Sequence, residues 1–168
     1  EDKELVSPED FIAKIRAAAA ARRSRDFCLI ARTDARAVAG LDEAIERANA
    51  ALANGADVAF VEAPQTMEEI EAVPKRVKGP CLMNVVSGGK TPEIALETVE
   101  RMGYAIAIIP GLLLRSIMQT CDRLLADLKQ GKFPPVPDSP KEMFARFGAA
   151  EWDERRTAFR DKFATAAE

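Results

Sequence analysis

Four short apolar runs in this chain each end in residues that can do chemistry. The first, Asp26-Phe27-Cys28-Leu29-Ile30-Ala31, leads into Arg32-Thr33-Asp34-Ala35. The second leads into Val61-Glu62-Ala63-Pro64, the third into Asn84-Val85-Val86-Ser87-Gly88-Gly89-Lys90-Thr91-Pro92, and the fourth into Ile109-Pro110-Gly111. Arg32 offers a rigid planar fork that suits a carboxylate or a phosphate. It can equally form a structural ion pair with Asp34 or Glu62. Glu62 stands at the same level of the next run, where it can neutralise Arg32, act on a bound group, or do both. Asn84 can donate to a substrate oxygen or cap a turn. Ser87 to Thr91 looks like a phosphate loop but lacks the two-glycine spacing of one; its backbone could form a small nest for a carboxylate.

These residues need a scaffold that brings strand ends together, and the chain reads as one. Ser7-Pro8-Glu9-Asp10 is a helix start, with Ser7 as N-cap and Asp10 completing a capping-box pattern. That helix is expected to run through the alanine-rich stretch to about Arg23. Strands are expected at 26–32, 57–62, 81–86 and 104–109. Helices are expected at 41–54, 66–72, 91–102 (with Pro92 at its first position) and 112–130. Asn54-Gly55 and Thr66 supply a stop and a cap. Alternating strands and helices give a parallel α/β sheet. Two architectures compete. The length suits a doubly wound sheet, while the residues at the strand ends suit part of a (β/α)8 barrel. A doubly wound nucleotide-binding domain needs a glycine-rich turn after its first strand, and Thr33-Asp34-Ala35-Arg36-Ala37 is not one. Residues 133–140 form a Pro-rich connector. Two further helices, about 141–147 and 151–163, carry Phe144, Phe147, Trp152, Phe159 and Phe163 and must bury them against the barrel or another subunit.

Bulk properties narrow the function. Of 168 residues, 48% are hydrophobic and 30% charged, as in an ordinary globular protein. The net charge of -3 gives no basic surface for a nucleic-acid backbone. No apolar run is long enough for a membrane span, and no apolar signal-peptide region follows Glu1. Histidine is absent, which excludes Ser-His-Asp and Cys-His catalysis and His-bearing zinc sites within this chain. Cys28, Cys81 and Cys121 are scattered without metal spacing, as expected for a reducing cytoplasm.

The four strand ends, in this order, resemble the isocitrate lyase and phosphoenolpyruvate mutase superfamily. Ile30 to Ala35 is similar to that family's fifth-strand motif. Val61 to Pro64 and Asn84 to Pro92 resemble its sixth and seventh strands, nearest the dimethylmalate lyase, oxaloacetate hydrolase and petal death protein branch. The resemblance implies the C-terminal half of a TIM barrel (strands 5 to 8) at residues 1–132, with a Pro-rich connector and a swapped helical tail at 133–168. It implies a Mg2+-dependent carbon–carbon lyase acting on a 2-hydroxy di- or tricarboxylate through an enolate. Arg32 would bind a substrate carboxylate, Glu62 would orient the reacting end, and Asn84 would hold the other carboxylate. Ser87 and Pro110 complete the implied substrate-binding set. Alternatives are an oxaloacetate decarboxylase, a phosphoenolpyruvate or carboxyphosphonoenolpyruvate mutase, or a non-catalytic half-barrel module. The family's metal-anchoring Asp residues and its catalytic loop belong upstream of Glu1. No metal ligand is therefore expected here, and a companion N-terminal half is, as is a homo-oligomer built as a dimer of dimers.

Overall fold

The computed structural model of the protein describes residues 3–133, 135 and 138–164, with side chains described as far as Phe159. The chain divides into two compact units, Glu1–Arg115 and Ser116–Glu168. The first begins with α1 (Pro8–Ala20), capped by Ser7, whose Oγ accepts the Asp10 N–H at 3.1 Å. Then follow β1 (Ile30–Thr33), α2 (Ala35–Ala39), α3 (Leu41–Ala53), β2 (Val58–Val61), α4 (Met67–Arg76), β3 (Leu82–Asn84), α5 (Leu96–Arg101) and β4 (Ile106–Ile108). The helix α6 (Leu112–Lys129) runs from the first unit into the second, which also holds α7 (Pro140–Arg146) and α8 (Ala149–Ala164).

The strands run parallel, and each neighbours the next in sequence. β1 pairs with β2 in the register Ile30↔Val58, and β3 pairs with β4 in the register Leu82↔Ile106. A single parallel bridge, Ala59↔Cys81, ties the two pairs together. A doubly wound sheet has a switch point at which the strand order reverses; here it never does. The described strands therefore follow their sequence order, as consecutive barrel units do, without the reversal of a doubly wound sheet.

Both faces of the sheet are apolar, as parallel sheets require. Odd-numbered residues of β1 and β2 (Ala31, Ala59, Val61) face the helices, while Val58 and Phe60 pack with Leu82, Ile106 and Ile108 on the other side. Small residues set the helix distance. Ala44, Ala48 and Ala51 recur along one stripe of α3 and are 1% exposed or less, so this helix lies close on the sheet. At its end Gly55 has φ +109, and a Cβ there would stand 2.6 Å from the Ala19 Cβ. Only glycine allows that approach of α1.

Several sequence expectations shift. The helix α1 stops at Ala20 and not near Arg23. The first strand begins at Ile30 and not at Asp26, because Ser24 and Asp26 form a side-chain-capped turn and the Asp57 carboxylate accepts the Leu29 N–H at 2.7 Å. The fifth helix begins at Leu96, not at Pro92; Ser87 holds Glu93 at 2.9 Å and Ile94 packs against the main apolar cluster, which keeps this stretch in a loop. The fourth helix continues to Arg76 through Pro74. A proline there removes the N–H that the Ile70 carbonyl would accept. Tyr104 replaces it: its hydroxyl donates to Ile70 O at 2.9 Å from a buried position. Burial raises the tyrosine's pKa, so it stays a donor.

The helix α6 buries no residue, and Leu113, Leu114, Ile117, Met118, Leu125 and Leu128 are all exposed along it. Phe144, Phe147, Trp152 and Phe159 of the tail helices are exposed as well. Pro134, Val136 and Pro137 of the connector and the Phe163 side chain lie outside the described residues. No described helix is long and apolar enough to cross a membrane.

The Pro74–Ile70–Tyr104 arrangement is testable. Tyr104→Phe leaves the Ile70 carbonyl buried without a donor and should destabilise the fold by about 1–3 kcal/mol. In a Pro74→Ala background the helix supplies its own N–H, and the same substitution should have a clearly smaller effect in urea unfolding. Equal losses in both backgrounds would show that the hydroxyl is not the substitute donor.

Candidate active site

Three of the sequence-selected residues meet at the C-terminal ends of the strands. Arg32 is the third residue of β1, Glu62 follows β2, and Asn84 ends β3. Alternation along the strands places them on the face that carries Phe60 and Ile108, away from the helices. The Arg32 guanidinium lies over the Phe60 ring, 5.2 Å from its centroid. That cation–π contact restrains it.

The fork is held by two carboxylates. Nε and Nη2 donate to the two oxygens of Asp34 at 2.8 and 3.0 Å, and Nη1 approaches Glu62 Oε2 at 3.5 Å. A guanidinium has five N–H groups. Two go to Asp34, and Nη1 faces Glu62 without a hydrogen bond, so at least one remains on each terminal nitrogen. Those two form the geometry that receives a ligand carboxylate. The hydrogen bond to Asp34 raises the Arg32 pKa further, and Arg32, assisted by Lys3, holds the Asp34 carboxyl down at about 2. Asp34 precedes α2 but makes no capping bond to it, because its oxygens are taken by Arg32 and Lys3.

Glu62 is only 16% exposed at its side chain. Its N–H donates to Thr33 O at 3.0 Å, which continues the β1–β2 ladder by one bond. The next residue, Ala63, has φ 55, the one positive φ outside glycine among the described residues. A left-handed alanine is strained by about 1–2 kcal/mol. It turns the chain out of the sheet directly after the carboxylate. Asn84 Nδ2 donates to Glu62 Oε2 at 3.4 Å. A carboxylate only accepts, so the amide's nitrogen faces Glu62 and its oxygen is the free end. That oxygen is buried without a partner. It wants a donor such as a substrate hydroxyl.

Ser87 and Pro110 are placed differently. The Ser87 hydroxyl donates to Glu93 and its carbonyl accepts from Arg115 Nη1 at 3.0 Å, so it belongs to the loop after β3 and not to the Arg32–Glu62–Asn84 network. Pro110 is exposed just beyond β4. Sequence reasoning missed Lys3, Phe60 and Arg115. Phe60 was legible, since it precedes Glu62 by two residues and so shares its face; nothing local marks Lys3 or Arg115. Among the described residues no cluster of three His, Cys, Asp or Glu side chains could hold a metal ion. The chemistry available here is recognition of a carboxylate next to a hydroxyl, together with a carboxylate, Glu62, close to both.

Known proteins share sequence and fold with this chain. A model of the family described as phosphoenolpyruvate phosphomutase matches residues 1–129. The chain is 41% identical over 128 residues to the 2-methylisocitrate lyase of Aeropyrum pernix, covering 76% of this chain and 41% of that protein. The solved structure of a 2,3-dimethylmalate lyase, a member of the PEP mutase/isocitrate lyase superfamily, superposes with a TM-score of 0.84 at 31% identity, over 94% of this chain and 57% of the other. A phosphonopyruvate hydrolase in complex with oxalate and Mg2+ superposes with a TM-score of 0.72 at 31% identity, over 94% and 57%. The chain thus spans about two fifths of the methylisocitrate lyase and somewhat over half of the two solved chains. On the family match and these identities together, this chain belongs to the phosphoenolpyruvate phosphomutase family of the isocitrate lyase superfamily.

Proposed function

We propose that this chain is the C-terminal half of a (β/α)8-barrel carbon–carbon lyase acting on a 2-hydroxy di- or tricarboxylate of the methylisocitrate or dimethylmalate kind. The observation that carries the reading is the juxtaposition at the strand ends. Arg32 keeps two N–H groups for a carboxylate, and the buried Asn84 Oδ1, linked to it through Glu62, lacks a donor. A 2-hydroxy carboxylate supplies both partners in one molecule. As a base takes the C2 hydroxyl proton, cleavage of the C2–C3 bond converts that hydroxyl into a carbonyl; the electron pair passes to C3 as an enolate, which then takes a proton at C3 to give the second carboxylate. Glu62 orients the reacting end and Arg32 neutralises the carboxylate. Ser87 and Pro110 line the same end of the sheet, and Arg115 adds a cation beside Ser87.

The phosphonopyruvate hydrolase was solved with Mg2+, but the described residues here do not offer a metal site by themselves. In this reading the ion is held by the N-terminal half, which also closes the barrel over the open face of β1, where Ile30 is 41% exposed. Residues 1–132 form the half-barrel, and residues 133–168 the connector and tail. The exposed apolar stripe of α6 and the tail aromatics are covered by a neighbouring subunit of a dimer of dimers. Three free cysteines are in keeping with a cytoplasmic location.

Assayed together with the N-terminal half and Mg2+, the protein should cleave a 2-hydroxy diacid into a 2-oxo acid and a second carboxylate, while residues 1–168 alone should give no turnover. Release of CO2 from oxaloacetate, or rearrangement of a phosphonate, would instead make it a decarboxylase or a mutase of the same superfamily. Arg32→Lys keeps the charge but loses the fork; KM should rise about tenfold to a hundredfold, as expected for charge-assisted hydrogen bonds.

Acid should loosen the site in a defined window. Asp34 has a folded pKa of about 2, below the ordinary carboxyl value near 4. In that window the unfolded chain binds the extra proton, so the stability Asp34 contributes is complete above about 4 and is lost as pH falls towards 2. Melting temperature measured against pH should fall through this range, and Asp34→Asn should flatten that part of the curve.

A further inference from the structure

The segment that leads into α1 is fastened at four points. Lys3 Nζ pairs with Asp34, Leu5 packs against the main apolar cluster, the Val6 carbonyl accepts from Arg47 Nη1 at 2.9 Å, and Ser7 caps the helix. Arg47 is a firm anchor. It is only 7% exposed, is held by Glu43 at 2.6 Å, and lies over the Phe11 ring. A buried guanidinium with this many partners has little freedom, so the carbonyl it grips is fixed in space. Lys3, three residues before that carbonyl, is thereby delivered to Asp34.

Asp34 is consequently shared between two cations. Its Oδ1 accepts from Lys3 and from Arg32 Nη2, and its Oδ2 accepts from Arg32 Nε. A ligand carboxylate that approaches the two remaining Arg32 N–H groups meets Asp34 as a competitor for the guanidinium and as a like charge close by. Lys3 opposes both effects, because it draws charge from Asp34 and keeps that carboxylate turned towards itself.

We propose that Lys3 is a positioning residue for the carboxylate fork: through Asp34 it prepares Arg32 for an incoming substrate carboxylate, and it couples the chain entering α1 to substrate binding. The inference rests on the reading of Arg32 as the carboxylate-binding residue. Lys3 itself need not touch the ligand. With its side chain 50% exposed, its contribution is that of a screened pair.

The test is oxalate binding by calorimetry, with Mg2+ present, on the chain assembled with its N-terminal half. Lys3→Met should weaken oxalate about twofold to fivefold, as an exposed pair of this kind allows. It should raise substrate KM by a similar factor with kcat unchanged, and leave the melting temperature where it was. Lys3→Arg should restore the affinity, and added salt should narrow the difference between wild type and Lys3→Met. Unchanged oxalate affinity in Lys3→Met, alongside a large loss in Arg32→Lys, would overturn the role of Lys3 and leave the carboxylate site standing. Unchanged affinity in Arg32→Lys would overturn the carboxylate-site reading itself. A loss in Lys3→Met accompanied by a lower melting temperature and not rescued by Lys3→Arg would mark Lys3 as merely structural, and the proposal would fail.

Discussion

A guanidinium at the end of a buried parallel strand must find its counter-charges within reach, and the local structure is arranged around that need. Arg32 lies over Phe60, is held by Asp34 from its own strand's exit, and is faced by Glu62 from the next strand. An arginine held on two sides and stacked on a ring has lost its rotamer freedom before any ligand arrives. Binding then loses less entropy than it would with a mobile side chain. Its two outer N–H groups are presented in one plane, which is what recognition of a carboxylate asks of it. The left-handed backbone at Ala63 serves the same end, because it lets Glu62 sit at the last ladder position while the chain departs into Pro64.

The scaffold keeps this arrangement rigid with small residues and one substitution of donors. The alanines of α3 bring that helix close to β1 and β2, and Gly55 lets α1 end against it. The helix α4 contains a proline that breaks its own hydrogen-bond ladder, and Tyr104, from the far side of β3, repairs it. The bond ties the second strand–helix unit to the fourth strand's approach. It also spans the β2–β3 junction, which the sheet links by a single bridge, Ala59↔Cys81.

Much of this was legible in the sequence, and the limits have physical causes. Apart from α2, the order of strands and helices followed from apolar runs and caps, and Ser7 and Thr66 cap as their positions demanded. Arg32, Glu62 and Asn84 could be placed together because strand ends in parallel sheets converge. Element boundaries were less legible. Whether Phe27 joins the ladder depends on Asp57, which takes the Leu29 N–H from a strand away. Whether Pro92 opens a helix depends on Glu93 and Ser87 across a loop. Pro74 reads as a stop unless Tyr104 is known to stand beside it. Lys3 and Arg115 are ordinary surface cations in sequence, and only the fold shows what their side chains reach.

Charge gives the site its remaining logic. Lys3 and Arg32 face Asp34 and Glu62, so the network is neutral as it stands. A dicarboxylate would bring two further negative charges to a place where Glu62 is already largely screened from water. Repulsion from Asp34 and Glu62 would then act at short range in a poor dielectric, and a neutral network cannot offset it. Binding of such a substrate therefore calls for positive charge beyond the four residues of the network. Arg115, held at the Ser87 carbonyl, stands at that end of the sheet and can supply part of it. On the proposed reading, the rest comes from a cation opposite the open face. For the proposed dicarboxylate, a network that is neutral in isolation would have to receive a dianion, and Asp34 and Glu62 alone create that demand for further positive charge.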